Sequence, residues 1–430
     1  MKKLFTYLLL LPFFVTAQQT LPLKSAIDSA LKSNFDIQIA KNNTEINKAN
    51  NTYGYAGGLP SLNANIGENN SINSLTQKQN GGIETSKNNV SSNSLNAGIS
   101  ANMTLFNGFK IIATKEKLNQ LQKQSELLLN QQIQNTMAAV MLTYYDILRQ
   151  QSYLNIIQSS LDVSTKKTEI ISERYKVGMA NDADLLQSQI DKNIAEQNFN
   201  TQKLIIEQAK INLLQLMGTK EFYSIVLNDT IIVDQTIQKD SILNYLENNQ
   251  QYLSAEQQIK INEQIAKELG SQRYPSLKLN TGYNFQNTTN SAGLNLLNQN
   301  YGPFVGATLQ IPIFNGNIYR TQQETALYNV KNAELQKENI LNTLKASASK
   351  TFQSYENTLQ QLVSQQNNFE NAKKLVNIVV QRFQLNQATI IDIKTAQASF
   401  ENAGYQLTNL LYAAKIAEIE LKKLVYKLSY

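Results

Sequence analysis

The side chains that most often carry enzyme chemistry are missing from this chain. Its 430 residues include no His and no Cys. That removes the usual general bases, thiolate nucleophiles, zinc ligands and disulfides. Any catalysis would rest on carboxylates, Lys, Ser or Tyr, and no nucleophile and base stand out as a pair. The reading is therefore a protein that is not an enzyme, with no cofactor and no metal. What does stand out is a constellation that occurs twice, 208 residues apart: Arg174-Tyr175 answers Arg382-Phe383, Asp184 answers Asp392, and Gln189 answers Gln397. Thr389-x-x-Asp392 has the spacing of a helix capping box, and Asp184 is a favourable acid for the first turn of a helix.

The elements that must position these residues are duplicated as well. Leu105-Phe106-Asn107-Gly108 recurs as Ile313-Phe314-Asn315-Gly316, and each Phe lies 68 residues before its Arg-aromatic pair. Upstream, Leu59-Pro60-Ser61-Leu62 answers Tyr274-Pro275-Ser276-Leu277 at an offset of 215, so the change in length falls between two strands. Fixed long spacings with one variable loop describe a duplicated architecture. Residues 61 to 274 and 313 to 430 contain no Pro and are rich in Gln, Asn, Lys, Leu, Ala and Ile, as long helices require. Ile133, Val140, Ile147, Leu154, Leu161, Thr168 and Tyr175 stand seven apart, and so do Leu341, Ala348, Tyr355, Leu362, Phe369, Val376 and Phe383. A sustained seven-residue seam predicts helices packed in coiled-coil manner. One running from about 109 to about 173 would be roughly 100 Å long.

Two segments per copy switch to a period of two. Leu62, Ala64 and Ile66, then Leu95 through Leu105 at odd positions, alternate with small polar residues. Leu277, Leu279, Tyr283 and Phe285, then Tyr301 and Val305 through Ile313, do the same in the second copy. These predict antiparallel hairpins with one apolar and one polar face, joined by polar loops at about 68 to 93 and about 287 to 300. The length of the strands, the Asn, Gly, Ser and Thr face, and aromatics near the ends (Phe106, Phe109, Tyr283, Phe285, Tyr301, Phe314) suit a membrane barrel. Four strands cannot close one, and an open edge cannot stand in lipid, so several chains must contribute.

Residues 1–17 read as a secretory signal, with Lys2 and Lys3, an apolar run and a small-residue cleavage site. The expected organisation is 18–217 for the first repeat, with a strand hairpin at about 60–107 and a helical hairpin at about 109–217. A linker follows at 218–240. The second repeat is 241–430, with its hairpins at about 275–314 and 315–430. The absence of Cys leaves no lipid anchor behind the signal. The net charge of +6 is spread along the chain without a basic block, which argues against nucleic acid as a partner.

A signal, a tandem duplication, strand hairpins ending in Phe-Asn-Gly, long helices and an Arg-Tyr-x-x-Gly turn together resemble the TolC-like outer-membrane efflux proteins. The resemblance implies a mainly α chain with membrane β: four strands of a homotrimeric, twelve-stranded barrel embedded in outer-membrane lipid of a Gram-negative bacterium. Below it would hang a periplasmic tunnel of helices with an equatorial belt. It also implies a passive duct within a tripartite efflux or type I secretion system, served by a periplasmic adaptor and an inner-membrane pump, proton-driven or ABC. A periplasmic coiled-coil adaptor or a surface protein without a pore is the alternative, and it leaves the two lipid-suited hairpins unexplained.

Arg174 to Gln189 reads as a helix-turn-helix tip: Arg174 and Lys176 suit the negative end of a helix, Gly178 supplies a left-handed stop, and Asn181 or Asp182 caps the next helix. In the second copy Asn386 stands in for Gly178. The resemblance assigns adaptor docking to Val177, Gly178 and Met179, and less closely to Leu385, Asn386 and Gln387. It places Asp392 on a ring of acids narrowing the closed tunnel, with Asp184, Thr395, Phe383 and Tyr175 as further gate candidates. Capping and gating by Asp392 are compatible. The chain departs from the family pattern at Thr395, where a second acid is expected, and at Ala388, where some relatives carry a basic latch.

Overall fold

A computed structural model of the chain describes residues 19–428, and the expected signal at 1–17 lies outside them. The elements run β1 (Gln19–Thr20), α1 (Leu23–Ser33), α2 (Phe35–Asn50), β2 (Ser61–Lys78), β3 (Glu84–Asn107), α3 (Lys110–Lys176), α4 (Asp182–Leu216) and β4 (Ile225–Val226). After these come α5 (Lys239–Leu243), α6 (Gln250–Gly270), β5 (Ser276–Asn290), β6 (Leu297–Gln310), α7 (Ile318–Gln384) and α8 (Ile390–Leu424). The duplication is exact in the helices: α3 and α7 have 67 residues each, and α4 and α8 have 35. The fold is mainly α with a four-stranded antiparallel sheet.

The chain divides into two units. One comprises residues 42–128 and 251–339 and holds the sheet, in the order β2-β3-β5-β6. Register puts the alternating residues into rows. Leu62, Ala101, Thr281 and Val305 lie side by side, as do Ala64, Ile99, Tyr283 and Pro303, and Ile66, Ala97, Phe285 and Tyr301. The opposite face carries Asn63, Ser100, Gly282 and Phe304, then Asn65, Gly98, Asn284 and Gly302. The apolar face is uncovered: Ile66 is 80% exposed, Val305 77% and Leu62 73%. A soluble sheet would bury such a face against a second layer. The outer edges of β2 and β6 have no partner strand within the described residues.

The expected loops at 68–93 and 287–300 are in fact mostly strand. β2 continues to Lys78 and β3 begins at Glu84, leaving a turn at 79–83 around Gly81 and Gly82, while the second turn shrinks to 291–296. Period two is weak there because both faces are mostly polar, with only scattered apolar residues such as Ile72 and Val90. Pairing persists through the ladder and through side chains: Asn93 Nδ2 donates to Glu68 Oε1 and to Asn70 Oδ1, both at 2.6 Å. β6, conversely, ends at Gln310 rather than at Ile313, since Pro312 has no N–H for a ladder.

At the corner where β3 meets α3 the backbone turns through two left-handed residues, Gly108 (φ +68°) and Phe109 (φ +68°), and the second copy does so at Gly316 and Asn317. Gly108 is required on two counts. Besides its φ, a Cβ there would stand 2.4 Å from the carbonyl oxygen of Ser271. Beyond the corner α3 is tied to α6 by Lys117, 2.6 Å from Glu268, which also accepts from Thr114 Oγ1 at 2.6 Å.

The other unit comprises residues up to Lys41, 129–250 and 340–430. Four of the seven second-seam residues are buried (Ala348, Tyr355, Val376, Phe383), and a parallel row of Leu344, Thr358, Gln365 and Ala372 is buried beside it. The largest apolar cluster joins Ile27 of α1, Tyr144 and Ile147 of α3, Leu213 of α4, Ile225 of β4 and Ile419 of α8. The N-terminal strand β1 pairs in parallel with β4, so this region draws on the chain start as well as on the 218–240 segment and the C-terminal end.

A charged cluster pins the segment after β4. Glu418 is 4% exposed and accepts from Lys415 at 3.0 Å and from Lys422 at 2.8 Å, while Lys415 Nζ also donates to the carbonyl of Ile232 at 2.8 Å. Asp234 accepts from the Thr236 hydroxyl at 2.6 Å and pairs with Lys422 at 3.0 Å; these partners hold its carboxyl well below the usual carboxylate range. Removing one member of a buried pair costs about 3–5 kcal/mol, because the remaining charge is left uncompensated. Glu418→Ala should therefore make residues 227–238 sensitive to limited proteolysis at neutral pH, where the wild type resists. A depressed folded pKa contributes stability that is present above the unfolded value of 3.8 and lost as pH falls through the folded one. Acid should accordingly expose the same segment only below about pH 4.

Candidate functional site

The duplicated constellation lies at two helical tips, both in the unit that contains residues 129–250 and 340–430. Each tip closes with the same backbone hydrogen bonds. In the first, Met179 N–H donates to the Arg174 carbonyl at 2.7 Å and Gly178 N–H to that of Tyr175 at 3.0 Å. In the second, Gln387 donates to Arg382 at 2.8 Å and Asn386 to Phe383 at 3.1 Å. This pair of bonds satisfies carbonyls that a helix end leaves open, and it needs a left-handed residue at the centre. Gly178 has φ +77° and Asn386 φ +60°. Asn replaces Gly at small cost because its short polar side chain tolerates that region.

The helices that follow start on different caps. Asn181 Oδ1 accepts from Asp184 N–H at 2.7 Å and closes the first. Thr389 Oγ1 accepts from Asp392 N–H at 3.2 Å, and the Asp392 carboxylate accepts in return from Thr389 N–H at 2.8 Å and from its hydroxyl at 2.9 Å. This is the capping box expected from the spacing. Hydrogen bonds from the Thr389 N–H and hydroxyl hold the Asp392 carboxyl below the usual carboxylate range. Asp184 is half-buried, and Thr395 is exposed one turn beyond Asp392.

The remaining tip residues separate into a buried and an exposed group. Phe383 is 2% exposed and packs with Ile171 and Ile393, so within the chain it is a core residue between the two hairpins. Tyr175, its counterpart, is exposed and hydrogen-bonds Asp182, whose carboxylate pushes the phenol upward. Val177, Met179 and Leu385 are 70%, 66% and 69% exposed at the apex, with Asn386 and Gln387 exposed beside them.

The two Arg residues of the duplication do different work. Arg382 donates to the Gln387 carbonyl of its own tip at 3.0 Å. Arg174 crosses instead to the other tip, where its guanidinium donates to the Phe383 carbonyl and lies 4.5 Å from the centre of that ring. A cation at that carbonyl complements the negative end of α7. Sequence reasoning assigned Arg174 only to its own helix end and missed this crossing.

A second set of contacts was also missed. Before the first tip, α3 carries a row of polar residues beside its seam, Ser160, Ser164 and Lys167, all buried. Lys167 pairs with Asp191 of α4 at 2.6 Å, and Lys394 of α8 stands 3.8 Å from the same carboxylate. Burial acts to raise Asp191, but the bonds from Lys167 and Gln187 outweigh it and leave the carboxyl below its ordinary range. Gln397 of α8 donates to Ser164 Oγ at 3.1 Å, and the Ser160 hydroxyl donates to Glu401. These groups line a cavity of about 270 Å³. Gln189, the duplicate of Gln397, is exposed. The available signal was a row of polar residues at helical spacing beside the seam. The arrangement joins two hairpins and presents an apolar apex.

The outer membrane efflux protein family model matches the chain twice, over residues 26–219 and 242–425, one match to each copy of the duplication. The chain is 23% identical over 305 residues to outer membrane protein TolC of Vibrio cholerae, covering 66% of each, and 20% identical over 292 residues to outer membrane protein TolC of Escherichia coli, covering 65% of this chain and 59% of that one. It thus spans just under two thirds of the length of these relatives. The Campylobacter jejuni CmeC outer membrane channel has the same fold, with a TM-score of 0.76 at 17% identity over 94% of this chain and 85% of that one. With both copies matched and the same architecture in a solved channel, the chain belongs to the outer membrane efflux protein family.

Proposed function

We propose that the chain is one third of a homotrimeric outer-membrane duct, in which three four-stranded sheets close a twelve-stranded barrel and the helices continue it as a periplasmic tunnel. The carrying observation is the sheet: its exposed apolar rows are in register across all four strands, and its two outer edges are open. Lipid supplies a partner for the first feature and a neighbouring copy for the second. No described helix is long and apolar enough to cross a membrane, so the strands carry the insertion. On this reading Ile66→Cys and Val305→Cys react with a lipid-soluble thiol reagent, whereas Asn63→Cys on the opposite face reacts with a water-soluble one from the lumen. Labels with the reverse preference, or a monomer in detergent, refute the barrel. An epitope placed between Gly81 and Gly82 should stain intact cells, since that turn closes the longer hairpin.

The duct has no chemistry of its own. It forms part of a tripartite efflux or type I secretion assembly, energised by an inner-membrane pump, proton-driven or ABC, and opened at its tips by a periplasmic adaptor. The exposed apexes Val177-Gly178-Met179 and Leu385-Asn386-Gln387 are the docking points. Arg174, bridging the tips, takes the place of the basic latch missing at Ala388 and holds the closed state. Asp392 serves as cap and as one member of a threefold ring of carboxylates that attracts cations. The domain bounds follow the same plan: repeats at 18–217 and 241–430 with a linker at 218–240.

Gly178→Val forces a β-branched residue into a left-handed conformation at about 1–2 kcal/mol, so export should fail while trimers still assemble. Arg174→Gln should raise the conductance of the adaptor-free channel in planar bilayers. Asp392→Ala should weaken its block by multivalent cations. An Asp392→Ala channel that frays at the start of α8 yet keeps wild-type block assigns this residue to capping alone.

A further inference from the structure

We propose that the groove at the corner between β3 and α3 binds the headgroup of an anionic phospholipid at the periplasmic rim of the barrel. This inference rests on the membrane reading of the sheet. The groove lies wholly within the unit holding the sheet and has a volume of about 780 Å³, within the range of small-ligand sites. It is lined by Lys115, Lys267 and Arg273, by the rings of Tyr53, Phe109 and Tyr274, and by one carboxylate, Glu116. Glu116 is already engaged by the side chain of Gln120. Lys115 donates to Asn51 Oδ1 at 2.5 Å, and among the described residues Arg273 donates only to Gln323, at 3.4 Å. Lys267 makes no hydrogen bond or ion pair among the described residues, so two cations face the groove without a carboxylate.

Placement identifies the occupant. The groove begins one residue past the end of β3, where the apolar rows of the sheet stop, and its three rings are 57–62% exposed. Aromatic rings at the end of an apolar belt belong at the level of lipid headgroups, with cations just beyond them. A guanidinium and an ammonium match a phosphodiester, and the acyl chains can continue along Phe106 and the apolar face. A free phosphate would use the cations but would leave the exposed rings without a role. Gly108 forms the floor: a side chain there would close the gap to Ser271.

The test uses the full-length protein extracted in detergent and examined by native mass spectrometry with added phosphatidylglycerol or phosphatidylethanolamine, beside the double variant Lys267→Gln, Arg273→Gln. Both positions are exposed, so the variant should assemble and insert into vesicles as the wild type does. The wild type should retain phosphatidylglycerol about tenfold better than phosphatidylethanolamine, and the variant should lose that preference. Equal retention of the two lipids, an unchanged preference in the variant, or displacement of the lipid by millimolar inorganic phosphate alone would overturn the proposal. Insertion without lipid preference removes this proposal and leaves the barrel standing. Failure of the wild type to insert removes both.

Discussion

Backbone hydrogen bonding at two strand edges governs how this chain can exist. Among the described residues the N–H and C=O groups on the outer sides of β2 and β6 have no strand to pair with, and the sheet between them presents an exposed apolar face. Water would satisfy the edges but not the face, and lipid would satisfy the face but not the edges. Closure with further copies in a bilayer satisfies both at once. The remaining features follow from that constraint. Gly108 and Phe109 turn β3 sharply into α3, and Gly316 and Asn317 lead into α7, so each helical hairpin issues directly from a strand hairpin.

The duplication provides two equal pairs of long helices, and small departures between the copies give them different contacts. Gly178 and Asn386 make the same turn. Yet Arg174 reaches across to the second tip while Arg382 stays on its own, and Gln397 bridges hairpins while Gln189 faces outward. A perfectly repeated sequence would give two equivalent tips with no preferred contact between them. Asymmetry of this kind makes the two tips chemically distinct although they share one backbone turn.

Much of this is legible in the sequence, for identifiable reasons. The tip turns rest on local rules: Gly or Asn at a left-handed stop, and Thr with an acid three residues on. Local rules survive in sequence. The helix ends, repeated at a fixed offset, were legible because insertions there would break the seam. The outer halves of the strand hairpins were not, because a strand with two polar faces has no hydrophobic period to reveal it; Asn70, Asn93 and Glu68 look like loop residues until paired. The burial of Phe383 between the hairpins was not legible either, because it depends on Ile171 and Ile393 from other helices. The crossing of Arg174 and the Lys167–Asp191 pair depend on which helix lies beside which, and that is set by contacts remote in sequence.

The central claim, that the two open edges are closed by neighbouring copies, is tested most directly by amide hydrogen exchange of the protein reconstituted in lipid nanodiscs. If the barrel closes, the outward-facing amides of β2 from Ser61 to Gly67 and of β6 from Tyr301 to Gln310 exchange as slowly as those of the central strands β3 and β5. Fast exchange along those two edges, with β3 and β5 protected, would show a sheet that remains open and would contradict the account.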